Sequence, residues 1–126
     1  MELDRVNLHA LALSPTVAHH GVGEIGFCRV AEAEAMSGAC NFIDVAVLPP
    51  GVSIGRHRHA PHEEEFYLVM KGRGRMWRDG EEFEVRAGDL IRNRAGGAHG
   101  LVNDGGEDLM IFVFELKVPT VHEAAL

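Results

Sequence analysis

"GRHRHAPHEEEFYLVMKG", residues 55–72, places three of the chain's eight histidines and three consecutive glutamates directly before the apolar run Phe66-Tyr67-Leu68-Val69-Met70. Successive side chains of an extended strand leave opposite faces. His57 and His59 therefore project from one face, roughly 6–7 Å apart at the backbone. Both imidazoles can then reach one ion at about 2.0–2.1 Å, while Arg56 and Arg58 point the other way. A turn at Ala60-Pro61 brings the chain back, and a carboxylate opening the next strand can add a third ligand on the same side. Ionisable groups set against a core strand need compensation, and a metal ion would supply it. The plainer reading of the same residues is a solvated loop leading into an ordinary strand.

The rest of the chain also has a period of two. Residues 24–30, 41–48, 63–71, 73–78, 81–86, 88–93, 98–102 and 107–117 read as short strands. Turn signals separate them: Pro49-Pro50-Gly51, Lys71-Gly72, Asp79-Gly80, Ala87-Gly88, Gly96-Gly97 and Gly105-Gly106. Asp79-Gly80 between "RMWR" and "EEFEV" predicts a two-residue hairpin. Closely spaced strands of this kind predict an all-β antiparallel sandwich or barrel. Only residues 31–38 and the tail after Pro119 have room for a turn or two of helix.

Length and composition bound the function. The 126 residues predict one domain, 46% of them apolar and 25% charged. A net charge of -7 without a basic stripe argues against nucleic acid as a partner. No segment reaches the ~20 apolar residues of a membrane span, and the first twenty residues lack the pattern of a secretory leader. Cys28 and Cys40 have no CxxC spacing and read as free thiols, so a cytoplasmic location is expected.

Residues 66–70 and 110–114 are apolar at odd and even positions alike, where a half-wet strand should alternate. Something must cover their outer face. Either the N-terminal segment folds over its own sheet, or a second copy of the chain docks there as a homodimer.

Two patterns in residues 51–103 resemble those of the cupin superfamily. The first cupin motif, G-x5-H-x-H-x(3,4)-E-x6-G, is met by Gly51, His57, His59, a glutamate and Gly72. The second, G-x5-P-x-G-x2-H-x3-N, is met by Gly88, Gly96, His99 and Asn103, with Arg94 in place of the proline. Counting four residues forward from His59 selects Glu64, and counting six back from Gly72 selects Glu65. Glu65 is preferred, because the Ala60-Pro61 turn absorbs an extra residue more easily than the following strand does. This register turns Tyr67 and Val69 inward and Phe66, Leu68 and Met70 outward; a one-residue slip would exchange the faces.

The resemblance implies a double-stranded β-helix, or jelly roll, spanning 1–126 as one domain. Motif 1 falls at 51–72, motif 2 at 88–103 and a C-terminal tail at 118–126. It also implies a metal site of His57, His59, Glu65 and His99, with Glu64 as the alternative ligand. Such a donor set suits one divalent manganese, iron, nickel, copper, cobalt or zinc ion per chain. The implied function is a metal-dependent enzyme acting on a small organic molecule, of dioxygenase, decarboxylase or sugar isomerase/epimerase type. The alternative is a module that binds a sugar or organic anion through its metal without turnover. Tyr67 is a candidate hydrogen-bond donor or proton carrier. Arg94 and His62 are candidate substrate contacts, although a surface arginine and a solvated loop histidine are the plainer readings. His9, His19, His20 and His122 read as incidental. Free imidazole protonates near ~6.5, so an exposed histidine site is expected to release its metal as pH falls through about 6.

Overall fold

The computed structural model describes residues 3–119. Its strands are Ser14–Thr16 (β1), Ile25–Glu32 (β2), Cys40–Leu48 (β3), Ser53–Arg58 (β4), Glu63–Lys71 (β5), Arg73–Arg78 (β6), Glu81–Arg86 (β7), Leu90–Asn93 (β8), Ala98–Val102 (β9) and Leu109–Lys117 (β10). They form a six-stranded sheet, β1-β2-β3-β10-β5-β8, and a four-stranded sheet, β4-β9-β6-β7. Neighbouring strands are antiparallel throughout both sheets. The all-β antiparallel expectation holds, with two additions. β1 is too short to show a period, and β4 carries Gly55 and two arginines where an apolar alternation would be looked for.

The inner faces of the two sheets share one core. Ile25, Leu48, Tyr67, Val69 and Ile111 from the larger sheet pack with Ile54, Met76, Val85 and Leu101 from the smaller. Alternation decides which residues enter it: Glu65, Tyr67 and Val69 of β5 are buried, and Phe66, Leu68 and Met70 lie on the other face. On the outer face of the larger sheet, Leu3, Val6, Leu8 and Leu11 pack around Val30, Val45 and Met110. The N-terminal segment therefore covers part of the doubly apolar strands. Further along that face the half-buried Phe66 and Phe114 rings stack with centroids 5.0 Å apart.

The turns follow their residues. Asp79 and Gly80 take φ of 50° and 85°, the paired positive values of a two-residue hairpin. The Asp79 Oδ1 also accepts the Ala98 amide at 2.8 Å. Gly72, with φ +81°, passes so close to β10 that a Cβ there would lie 2.3 Å from the Asp108 carbonyl oxygen. The strand expected from residue 88 starts at Leu90, because Asp89 turns back to accept the Arg86 amide at 2.9 Å. In the 31–38 stretch β2 runs on to Glu32, leaving a single 3-10 turn at Ala33–Ala35. A second such turn, Leu8–Ala10, had no signal in the sequence. The helical expectation after Pro119 lies outside the described residues.

Candidate metal centre

His57 and His99 face each other across the β4–β9 pair, beside an irregularity between Ile54 and His57 that bends β4. His59 lies one residue beyond β4 and is tied down by its backbone N–H, which donates to the Gly97 carbonyl at 3.0 Å. Glu65 reaches the same point from β5 of the opposite sheet. The four side chains offer ligand atoms that all lie within 4.8 Å of one another. His99 Nε2 is 3.0 Å and His59 Nε2 3.5 Å from Glu65 Oε1. His59 Nε2, His99 Nε2 and Glu65 Oε1 are buried with no hydrogen-bond partner.

Buried polar atoms without partners are costly, so three of them gathered at one point form a group that could hold a cation. The far sides of the rings support this. His57 Nδ1 lies 2.8 Å from the Gly55 carbonyl and His59 Nδ1 lies 3.0 Å from Glu115 Oε1. Each contact holds the proton on Nδ1 and leaves the Nε2 lone pair free, the arrangement that orients metal-binding histidines. Glu115 is held in turn by Asn41, whose Nδ2 donates to Oε2 at 3.0 Å. The residues present fit a divalent transition ion.

The titration behaviour follows from burial and neighbouring charge. Burial lowers His57 to about 4, against the opposing pull of the Gly55 carbonyl. His59 moves the other way, because Glu65 outweighs desolvation. Burial alone would raise Glu65, but His59 and His99 together bring it down to about 2. Burial, reinforced by Glu65, holds the Tyr67 phenol well above its ordinary value. Desolvation also raises Glu115.

The centre opens into a cavity of about 460 Å³ between the sheets, with Phe27, Phe42, Ile54, Ile111 and Val113 among its walls. Tyr67 is buried beside the centre, its ring edge-on to His99 at 5.3 Å. Glu64 lies on the other face of β5, 3.9 Å from Arg92, so Glu65 is the glutamate brought to the histidines. Arg94 and His62 are exposed and do not line the cavity, so the substrate contacts expected of them are not found there.

Several neighbours of the centre had no sequence signal. His19 stacks on His57 at 3.5 Å with the rings 8° from parallel. Glu115, Asn41 and the Arg29–Asp44 pair also come from distant parts of the chain. Asn93 lies opposite Glu65 in the β5–β8 register, and its buried amide has no hydrogen-bond partner. Asn103, the last residue of the second motif, serves the fold. Its Nδ2 donates to the carbonyls of Leu48 at 2.8 Å and Glu107 at 2.7 Å, and its Oδ1 accepts the Gly105 amide at 2.9 Å.

Two facing antiparallel sheets, with three histidines and one glutamate converging between them, define the class of this protein. The sequence model of the Cupin domain family matches residues 44–115, and the chain belongs to that family. It is 33% identical over 89 residues to the oxalate-binding protein of Thermotoga maritima, covering 71% of this chain and 73% of that one. A crystal structure described as a predicted oxalate decarboxylase from T. maritima superposes with a TM-score of 0.86 at 26% identity, over 91% of this chain and all of that one. The cupin domain of Schizosaccharomyces pombe Cnp3 gives a TM-score of 0.72 at 12% identity, over 88% of this chain and 72% of that one, a likeness of fold alone. Among the described residues no helix is long and apolar enough to cross a membrane.

Proposed function

We propose that His57, His59, Glu65 and His99 hold one divalent transition ion, and that the protein is a metal-dependent enzyme acting on a small organic acid. The observation that carries this reading is the trio of buried ligand atoms left without hydrogen-bond partners at the floor of a cavity. When bound, such an ion supplies Lewis acidity toward a carboxylate or enolate oxygen. The chain's own groups do the rest. Gly55 and Glu115 keep two imidazoles in the ligating tautomer. Tyr67 keeps its proton at neutral pH, so it serves as a hydrogen-bond donor to bound substrate and not as a base. The apolar walls exclude water from one side of the ligand. The Thermotoga relatives, described as oxalate-binding and as a predicted oxalate decarboxylase, support an organic acid over a sugar.

The name of the first relative also favours a second reading, in which the acid is bound without turnover. Elemental analysis of protein purified without an affinity tag, followed by an anaerobic and aerobic screen of small carboxylates, separates the two. One redox-active or octahedral ion per chain with product formation supports the enzyme. Stoichiometric metal with saturable acid binding and no product supports the binding module, and no metal after reconstitution removes both.

A further inference from the structure

Charge and volume in the cavity say more about the acid, given the metal reading above. A cavity of about 460 Å³ is of the size that encloses a whole organic ligand. Oxalate has six heavy atoms and no apolar surface, so it would leave most of that wall wetted. The wall is built from the inner faces of three neighbouring strands. β2 contributes Phe27, β3 Phe42, and β10 Ile111 and Val113. Water against such a surface is a standing penalty that an apolar ligand body relieves.

The charge pattern points the same way. Asp44, Glu63, Glu65 and Glu115 line the cavity, and Arg29 is the one guanidinium among the lining residues. Arg29 is already engaged, with Nε donating to Asp44 Oδ1 at 2.9 Å and Nη2 donating to Asp44 Oδ2 at 3.1 Å. Its flat face covers the Phe42 ring at 4.4 Å, so it completes the wall more than it offers a free cation. Four carboxylates against one guanidinium and one divalent ion sum to −1, so each further negative charge on a ligand is opposed away from the metal, a dianion's more than a monoanion's. A dianion gains at the metal and loses everywhere else in the cavity.

We infer that the ligand of this centre is a monoanionic organic acid with an apolar body, larger than oxalate, its carboxylate end at the four-ligand centre and its body against Phe27, Phe42, Ile111 and Val113. A 2-oxo acid with a branched or aromatic side chain has this chemistry. The inference rests on the metal reading, and the test separates the failure of one from the failure of the other.

Protein reconstituted with cobalt(II) is titrated with oxalate, pyruvate, 4-methyl-2-oxopentanoate and phenylpyruvate, read by calorimetry and by the cobalt absorption band. The two large acids should bind about tenfold or more tighter than pyruvate and oxalate, the gain expected from burying several carbons. Narrowing the wall with Val113→Phe should abolish that preference, with cobalt stoichiometry reporting that the centre itself is intact. If the variant does not fold, the wild-type series decides alone. Oxalate binding as tightly as the large acids, or affinity indifferent to body size, overturns the inference. One cobalt per chain with no acid bound also overturns it and leaves the metal reading standing; no cobalt bound overturns both.

Discussion

His59 Nδ1 lies 3.0 Å from Glu115 Oε1, joining a residue at the end of β4 to one fifty-six positions later in β10. The contact has a chemical consequence. Glu115 holds the proton on Nδ1, so Nε2 faces the centre as a lone pair, and its negative charge makes the ring a better donor to a cation. Replacing Glu115 with Gln should weaken metal affinity by about ten- to a hundredfold while the fold persists. Competition with a chromogenic chelator measures it, and unchanged affinity would show that Glu115 is a bystander.

The ligands themselves make a stricter test. His57→Ala or His99→Ala removes one of four donors and should abolish stoichiometric metal. Metal retained in both variants would remove the centre from these residues.

The pH dependence should show two separate steps. Ligation needs neutral imidazoles, and a proton on any of them competes with the ion. His59 has its affinity for protons raised, so it takes one first, above the ordinary range of a free imidazole. His57 stays neutral until about pH 4, and Glu65 stays ionised until about pH 2. Apparent metal affinity should therefore fall about tenfold per pH unit once His59 titrates, and more steeply below about pH 4. Metal content unchanged between pH 7 and pH 3 would contradict histidine ligation. An unperturbed site would instead lose its metal in one step near pH 6; burial and the Glu65 charge are what separate the two imidazoles.

Asn103 is fully buried and makes three hydrogen bonds, one to the end of β3 and two within the connection between β9 and β10. Asn103→Ala leaves two carbonyls and one amide unpaired and should destabilise the fold by about 2–4 kcal/mol. Urea unfolding would read the loss. A ligand role for this residue would instead appear as a drop in metal content at unchanged stability.

Gly55 tests how the N-terminal segment meets the site. A Cβ at this position would sit 2.0 Å from the His19 carbonyl oxygen, and the Gly55 amide donates to Ala18 at 3.0 Å. Gly55→Ala should push the 18–21 turn off β4, costing about 1–3 kcal/mol. It should also break the His19–His57 stack, visible as a shift of the His57 ring resonances. Wild-type stability and ring shifts together would mean the turn adapts without strain.

Much of the centre was legible because its ligands lie close together or on counted spacings. His57 and His59 are two apart, so one extended face presents both whatever the rest of the chain does. Glu65 over Glu64 followed from counting back from Gly72, a glycine that the Asp108 carbonyl forces to remain one. The Asp79-Gly80 hairpin was legible because those two residues tolerate positive φ. The extent of β4 was not, because Gly55, two arginines and the irregularity between Ile54 and His57 break its alternation.

By itself, then, the sequence determined the period and the turns, which depend on local backbone geometry, and it named four candidate ligands through their resemblance to the cupin motifs. Only the tertiary structure decided which neighbours those residues meet. His19, Arg29 and Asp44 reach the cavity from the N-terminal half, and Glu115, held by Asn41, reaches it from the last strand. Their positions depend on the order of strands in the six-stranded sheet, β1-β2-β3-β10-β5-β8, which places residues far apart in the chain side by side. No local pattern encodes such a pairing, because the hydrogen bonds and side-chain contacts that select it exist only once the sheet has formed.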